Sequence, residues 1–129
     1  MALKVVLDTN RYSDFARGDD AVRSILEFAE SIYLPFVVVA ELRAGFSAGT
    51  RGAANEAFLE NFLHEKDVQV LYPDDQTIAS YASAFKFLRL QGKKIPANDL
   101  WVAAIVLQHG LTLCTRDAHF DHLPHIPRA

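Results

Sequence analysis

With one cysteine, Cys114, the chain cannot form an intrachain disulfide, and the apolar setting of that residue in "LTLCT" marks a small buried thiol suited to a reducing compartment. No apolar run approaches the roughly 20 residues needed to span a bilayer. The opening "MALKVVLDTN" is too short an apolar run for a signal peptide and meets Asp8 at once, so a cytoplasmic location is expected. A basic excess is also missing. Thirteen Lys and Arg stand against sixteen Asp and Glu, for a net charge of −3, so bulk charge gives nucleic-acid binding no support. There are no repeats, no low-complexity tracts and no linker rich in Pro, Gly or Ser. The lack of a glycine-rich phosphate loop argues against nucleotide-binding folds of that kind.

What is present is an ordinary globular composition, 50% hydrophobic and 22% charged over 129 residues. That length is expected to make one domain, residues 1–129, able to bury a core without disulfides or structural metals. "LKVVL" at residues 3–7 is short, apolar and β-branched, as a strand buried on both faces is. Residues 19–30 carry Val22, Ile25, Leu26 and Ala29 at a helical period. "IYLPF" reads as a second strand leading into a helix through "VVVAELRAGF" that ends near Gly49. A further helix is expected over residues 53–65, with Ala54, Ala57, Phe58, Asn61 and Phe62 on one side.

"VQVLY" is a third strand stopped by Pro73. Asp74 or Asp75 caps the long helix that follows, whose inner face is expected at Ile78, Tyr81, Ala82, Phe85 and Leu88. Another helix covers residues 98–109 and stops at Gly110; "LTLCT" is a fourth strand, and Ile126 begins a marginal fifth. Strands separated by helices give an α/β fold with a central, mainly parallel sheet of four to five strands and helices on both faces. Ligands of such sheets bind beyond the carboxyl ends of the strands.

Acidic residues stand at the borders of these apolar segments. Asp8 follows the first strand, Asp117 follows the fourth, Glu41 interrupts "FVVVAEL", and Asp99 stands at the threshold of the apolar run "LWVAAIVL". Each has a plain structural alternative. Asp8 can cap a turn with Thr9 and Asn10, Asp99 can favour a helix dipole, Glu41 can face solvent beside Arg43, and Asp117 can start a turn. Taken together they point elsewhere. Carboxylates about 4 Å apart repel by ~4 kcal/mol per pair at an effective dielectric near 20. A cation turns that repulsion into attraction, and oxygen-only ligands select hard ions, Mg²⁺ or Mn²⁺. Such a site handles phosphate.

"VVLDTN", "PFVVVAELRAG", "IPANDLWVAA" and "LCTRDAHF" occur in the order typical of PIN-domain proteins, and the chain resembles in particular the VapC-type ribonuclease toxins of toxin–antitoxin pairs. The resemblance runs from Leu3 to about Leu123. It implies a three-layer α/β/α domain and a Mg²⁺- or Mn²⁺-dependent endoribonuclease that hydrolyses RNA with a metal-activated water, leaving a 5′-phosphate and a 3′-hydroxyl. The family's acidic positions fall on Asp8, Glu41, Asp99 and Asp117 as catalytic and metal-holding residues, with Asp121 a rival for the fourth place. Asn10 and Thr115 match supporting hydrogen-bonding positions. The resemblance further implies a homodimer held inactive by a cognate antitoxin, for which Phe46, Phe58, Phe62, Tyr33 and Phe36 offer apolar surface, unless all of them are core.

Lys86, Arg89, Lys93 and Lys94 cluster before Asp99, and Arg116 precedes Asp117. They form either an ordinary solvated face or, with Arg11 and Arg17, a rim that holds RNA phosphates. His119, His122 and His125 in "HFDHLPH" lack the paired Cys or HExxH spacing of a zinc site and read better as a polar C-terminal loop. A haloacid-dehalogenase-like phosphatase needs a second aspartate where Asn10 stands. The remaining alternative is a catalytically silent PIN-like module that binds RNA or protein.

Overall fold

The computed structural model describes residues 2–129. Strand β1 (Leu3–Leu7) leads through helices α1 (Thr9–Ala16) and α2 (Asp20–Phe28) to β2 (Ala29–Pro35). Helices α3 (Phe36–Ala48) and α4 (Gly52–Leu63) connect to β3 (Val68–Leu71); α5 (Asp75–Leu90) and α6 (Ala97–His109) connect to β4 (Thr112–Cys114). A short 3₁₀ turn, Ala118–His122, follows. The sheet order is β3-β2-β1-β4 with every pair parallel, the centre of a three-layer α/β/α arrangement. No helix among the described residues is long and apolar enough to cross a membrane.

The topology decides where a site can form. The chain steps outward from β1 to β2 to β3, then returns to place β4 on the other side of β1. Connections therefore diverge at the carboxyl ends of β1 and β4, and the crevice left between diverging connections is where open α/β sheets bind ligands. Val5, Val6 and Leu7 are fully buried, as an all-apolar central strand requires. Helix α6 buries Leu100, Val102, Ala103, Ala104, Ile105 and Val106 and so needs no polar face along that stretch.

The expected fifth strand amounts to a single bridge, in which Leu113 N–H donates to Pro127 O and Ala129 N–H donates to Leu113 O. Helix α1 has no counterpart among the helices expected from the sequence. Asp8 does cap it, through its side chain on Thr9 N–H, but Tyr12 and Phe15 add enough apolar packing to carry eight residues into a helix. Helix α2 stops at Phe28, because Ala29 pairs with Leu3 in the sheet. The inner face of α5 is rotated from the expected one: Thr77, Ala84 and Leu88 are buried, while Ile78 and Phe85 are 58% and 52% exposed. Thr77 turns inward because its hydroxyl completes a capping box with Asp74 and reaches Gln108 of α6.

Helix α6 ends on Gly110, whose φ of 63° lies in the left-handed region that lets the chain turn directly into β4. Gly110→Ala is expected to lower stability by about 1 kcal/mol, seen as a reduced urea midpoint with an unchanged denaturant slope.

Candidate active site

Asp8 leaves the central strand at the divergence point. Its backbone N–H donates to Cys114 O at 3.1 Å, which locks the ends of β1 and β4 together. Its carboxylate is 4% exposed and held from both sides. Oδ1 accepts from Thr9 N–H at 2.8 Å, and Oδ2 accepts from the Thr115 hydroxyl at 2.9 Å. Thr115 in turn accepts from Asp117 N–H at 3.0 Å, so one hydroxyl ties the first acid to the loop that carries the last. Thr9 does the same on the other side: its hydroxyl donates to Glu41 Oε1 at 2.8 Å.

Asp99 enters from the first turn of α6, and Asp117 caps the 3₁₀ turn by accepting from His119 N–H at 2.9 Å. The His119 ring lies between these two acids, with Nδ1 2.7 Å from Asp99 Oδ2 and 3.0 Å from Asp117 Oδ1. Donor atoms of Asp99, Asp117 and His119 all fall within 4.8 Å of one another. Asp121 takes no part in that group, since it is turned outward onto Arg128 at 2.7 Å.

The charges feel one another. Burial pushes the Asp8 carboxyl above its ordinary range, with Asp99 and Glu41 adding to the rise against the Thr9 and Thr115 hydrogen bonds. Asp99 is raised by burial first and then by Asp117 and Glu41, while the His119 ring opposes the rise. His119 is raised in return, chiefly through its hydrogen bond to Asp99. Four acids from four places in the sequence thus share one field, and the histidine beside them is one that the sequence reading set aside as part of a polar C-terminal loop. The signal was its position two residues after Asp117, where one tight turn brings the ring back over the cap.

The basic residues divide into two groups. Arg11 and Arg116 both pair with Asp14 of α1, as does Arg17, at 3.2, 2.8 and 2.9 Å respectively. Arg89, Lys93 and Lys94 line a groove of about 570 Å³ with Tyr81, Phe85 and Leu88, and Lys86 is exposed on α5. Asn10 is half-buried, and its Oδ1 has no hydrogen-bond partner among the described residues. His125 packs its ring against Phe87, away from His119.

Asp14 is a separate electrostatic node. Its side chain is 11% exposed, and the hydrogen bond from Arg116 leads the three guanidinium contacts that lower its pKa to about 2. A carboxylate depressed below its ordinary 3.8 stabilises the fold above that value and loses the contribution as pH falls toward 2. With screening through the exposed arginines, Asp14→Asn is expected to cost about 1–2 kcal/mol at neutral pH. The gap between the two proteins should close as pH falls below 4, measured by urea unfolding across the acid range.

Comparison with known proteins agrees with this architecture. The PIN domain family matches residues 5–126. The chain is 32% identical over 126 residues to Toxin FitB of Neisseria gonorrhoeae, covering 88% of this chain and 87% of that protein. It is 34% identical over 122 residues to VapC ribonuclease Y4jK of Sinorhizobium fredii, covering 88% and 86%. Among solved structures, FitAcB from Neisseria gonorrhoeae superposes with a TM-score of 0.77 at 30% identity over 96% of this chain and 95% of that one. VapBC2 from Rickettsia felis, bound to a DNA fragment from its promoter, shares the fold with a TM-score of 0.86 at 23% identity over 98% of both chains. By fold, by the order of its acidic residues and by homology, the chain belongs to the PIN domain family.

Proposed function

We propose that the chain, as a single PIN-like domain, is a metal-dependent endoribonuclease and the toxin of a toxin–antitoxin pair. The observation that carries this reading is the meeting of Asp8, Glu41, Asp99 and Asp117 at the divergent edge of the sheet, in a chain homologous to a VapC ribonuclease. A binding module would have no use for gathered acids that raise one another's pKa values.

The donor set fits a hard divalent cation. Asp99, Asp117 and His119 present donor atoms within 4.8 Å, and the Asp8 and Glu41 carboxylates lie outside that group but near enough for the charges to act on one another. Asp99 and Asp117 would hold Mg²⁺ or Mn²⁺ directly, with Glu41 and Asp8 close behind. Bound there, such an ion supplies Lewis acidity and an activated water for phosphodiester hydrolysis. The remaining work belongs to the chain. Thr115 and Thr9 orient Asp8 and Glu41, and the depth of Asp8 keeps its carboxylate from turning into solvent. Arg11 and Arg116 are paired with Asp14, so Lys86, Arg89, Lys93 and Lys94 on the α5–α6 side are the residues that offer phosphate contacts; RNA is the polyanion this arrangement would take.

Partners follow the same reading. The groove lined by Phe15, Leu26, Phe58 and Phe62 together with Arg23, Glu27 and Lys66 suits an amphipathic antitoxin segment. The exposed Ile78 and Phe85 on α5 favour a second copy of this chain and a homodimer.

Purified, antitoxin-free protein should cleave mixed cellular RNA with Mg²⁺ or Mn²⁺ and stop with chelator. Asp99→Asn should reduce cleavage by at least about a hundredfold while keeping the circular dichroism of the wild type. RNA binding without cleavage by the folded, ion-loaded protein would favour the silent binding module instead.

A further inference from the structure

We propose that His119 is a nitrogen ligand of this site and turns its cation preference from Mg²⁺ toward Mn²⁺. The inference rests on the metal-nuclease reading above and assigns a residue outside the acidic set that the family resemblance implies.

The ring is placed by the fold rather than by chance exposure. Asp117 caps the turn through His119 N–H, and the next residue, Phe120, is fully buried, as is Leu123 one turn on. These anchors hold the backbone of His119 on both sides. The side chain then folds back so that Nδ1, and not the outer ring edge, faces Asp99 Oδ2 at 2.7 Å and Asp117 Oδ1 at 3.0 Å. Neighbouring ligand atoms around an octahedral ion with bonds of about 2.0–2.1 Å stand about 2.8–3.0 Å apart. The observed spacings are hydrogen-bond distances, with Nδ1–H donating to the carboxylates, and they are also the spacing that donors sharing one cation take once the ion displaces that proton.

Chemistry sets the preference. Mg²⁺ takes oxygen ligands and dehydrates reluctantly, whereas first-row transition ions accept imidazole nitrogen readily. Two carboxylates alone would leave Mg²⁺ and Mn²⁺ closely matched. A nitrogen added beside them strengthens the hold on Mn²⁺ more than on Mg²⁺. The competing role for the ring is a counter-charge that neutralises the acids and leaves when an ion arrives, and the two roles make opposite predictions.

The test is Mn²⁺ binding by the full chain, followed by electron paramagnetic resonance, with Mg²⁺ as competitor. Wild type should show the ¹⁴N modulation of a directly coordinated imidazole. His119→Gln should lose that modulation and bind Mn²⁺ about tenfold more weakly, with Mg²⁺ affinity changed by less than about threefold. His119→Asp, which offers oxygen in place of nitrogen, should also lose the modulation and lower the Mn²⁺ to Mg²⁺ preference. Mn²⁺ bound without ¹⁴N modulation in the wild type would overturn the proposal, and so would equal or tighter Mn²⁺ binding by His119→Gln, the counter-charge result. Absence of Mn²⁺ binding to wild type would overturn the metal-nuclease reading together with this one, an outcome distinct from both.

Discussion

A carboxylate buried at the end of the central strand sets the terms for the rest of this molecule. Asp8 follows three fully buried residues and remains 4% exposed itself, so its charge must be met inside the protein. Thr9 N–H and the Thr115 hydroxyl meet it from opposite sides. The second of these partners is 107 residues away in sequence and arrives only because β4 pairs in parallel with β1, with Leu7 opposite Cys114. The return of the chain to the far side of β1 is therefore what completes the site. Thr115 and Thr9 extend the arrangement outward to Asp117 and Glu41.

Hydrogen bonds settle Asp8 but do not neutralise the group around it. Asp8 and Asp99 stay raised by burial and by their acidic neighbours, and among the described residues the one cation-forming side chain in contact with Asp99 and Asp117 is the His119 ring. The arginines that looked suited to the task are committed elsewhere. Arg11, Arg17 and Arg116 converge on Asp14, which holds α1 to the loop after β4 and leaves the acidic edge with a surplus of negative charge. Two separate carboxylates on the same short stretch thus have different surroundings. Asp14 is paired with three guanidinium groups, and Asp8 belongs to the acidic set for which we propose a cation.

Much of this was legible from residues alone, for physical reasons that differ by element. Strand β1 and helix α6 are almost wholly apolar, so length and flanking signals suffice to identify them. The four acids are legible because each interrupts or borders an apolar segment where charge is costly. Helix α1 was not, since eight residues with two aromatics carry little periodic signal, and its stability comes from packing on Phe62 and Phe58 of α4. The rotated face of α5 was hidden because Thr77, buried by its capping role, does not read as apolar. His119 was hidden among three closely spaced histidines, and only the tight turn after Asp117 separates it from His122 and from His125, which packs on Phe87.

The central claim is that the gathered acids form a cation site, and thermal unfolding of the metal-free chain with added Mg²⁺ or Mn²⁺ tests it most directly. Binding to the folded state alone should stabilise wild type by about 3 kcal/mol at a hundredfold excess over Kd, a rise in Tm of roughly 10 °C. The double variant Asp99→Asn with Asp117→Asn should be at least as stable without ions, because a repulsive pair is gone, and should show no such rise. A wild type whose Tm does not respond to either ion, or a double variant that responds equally, would contradict the account.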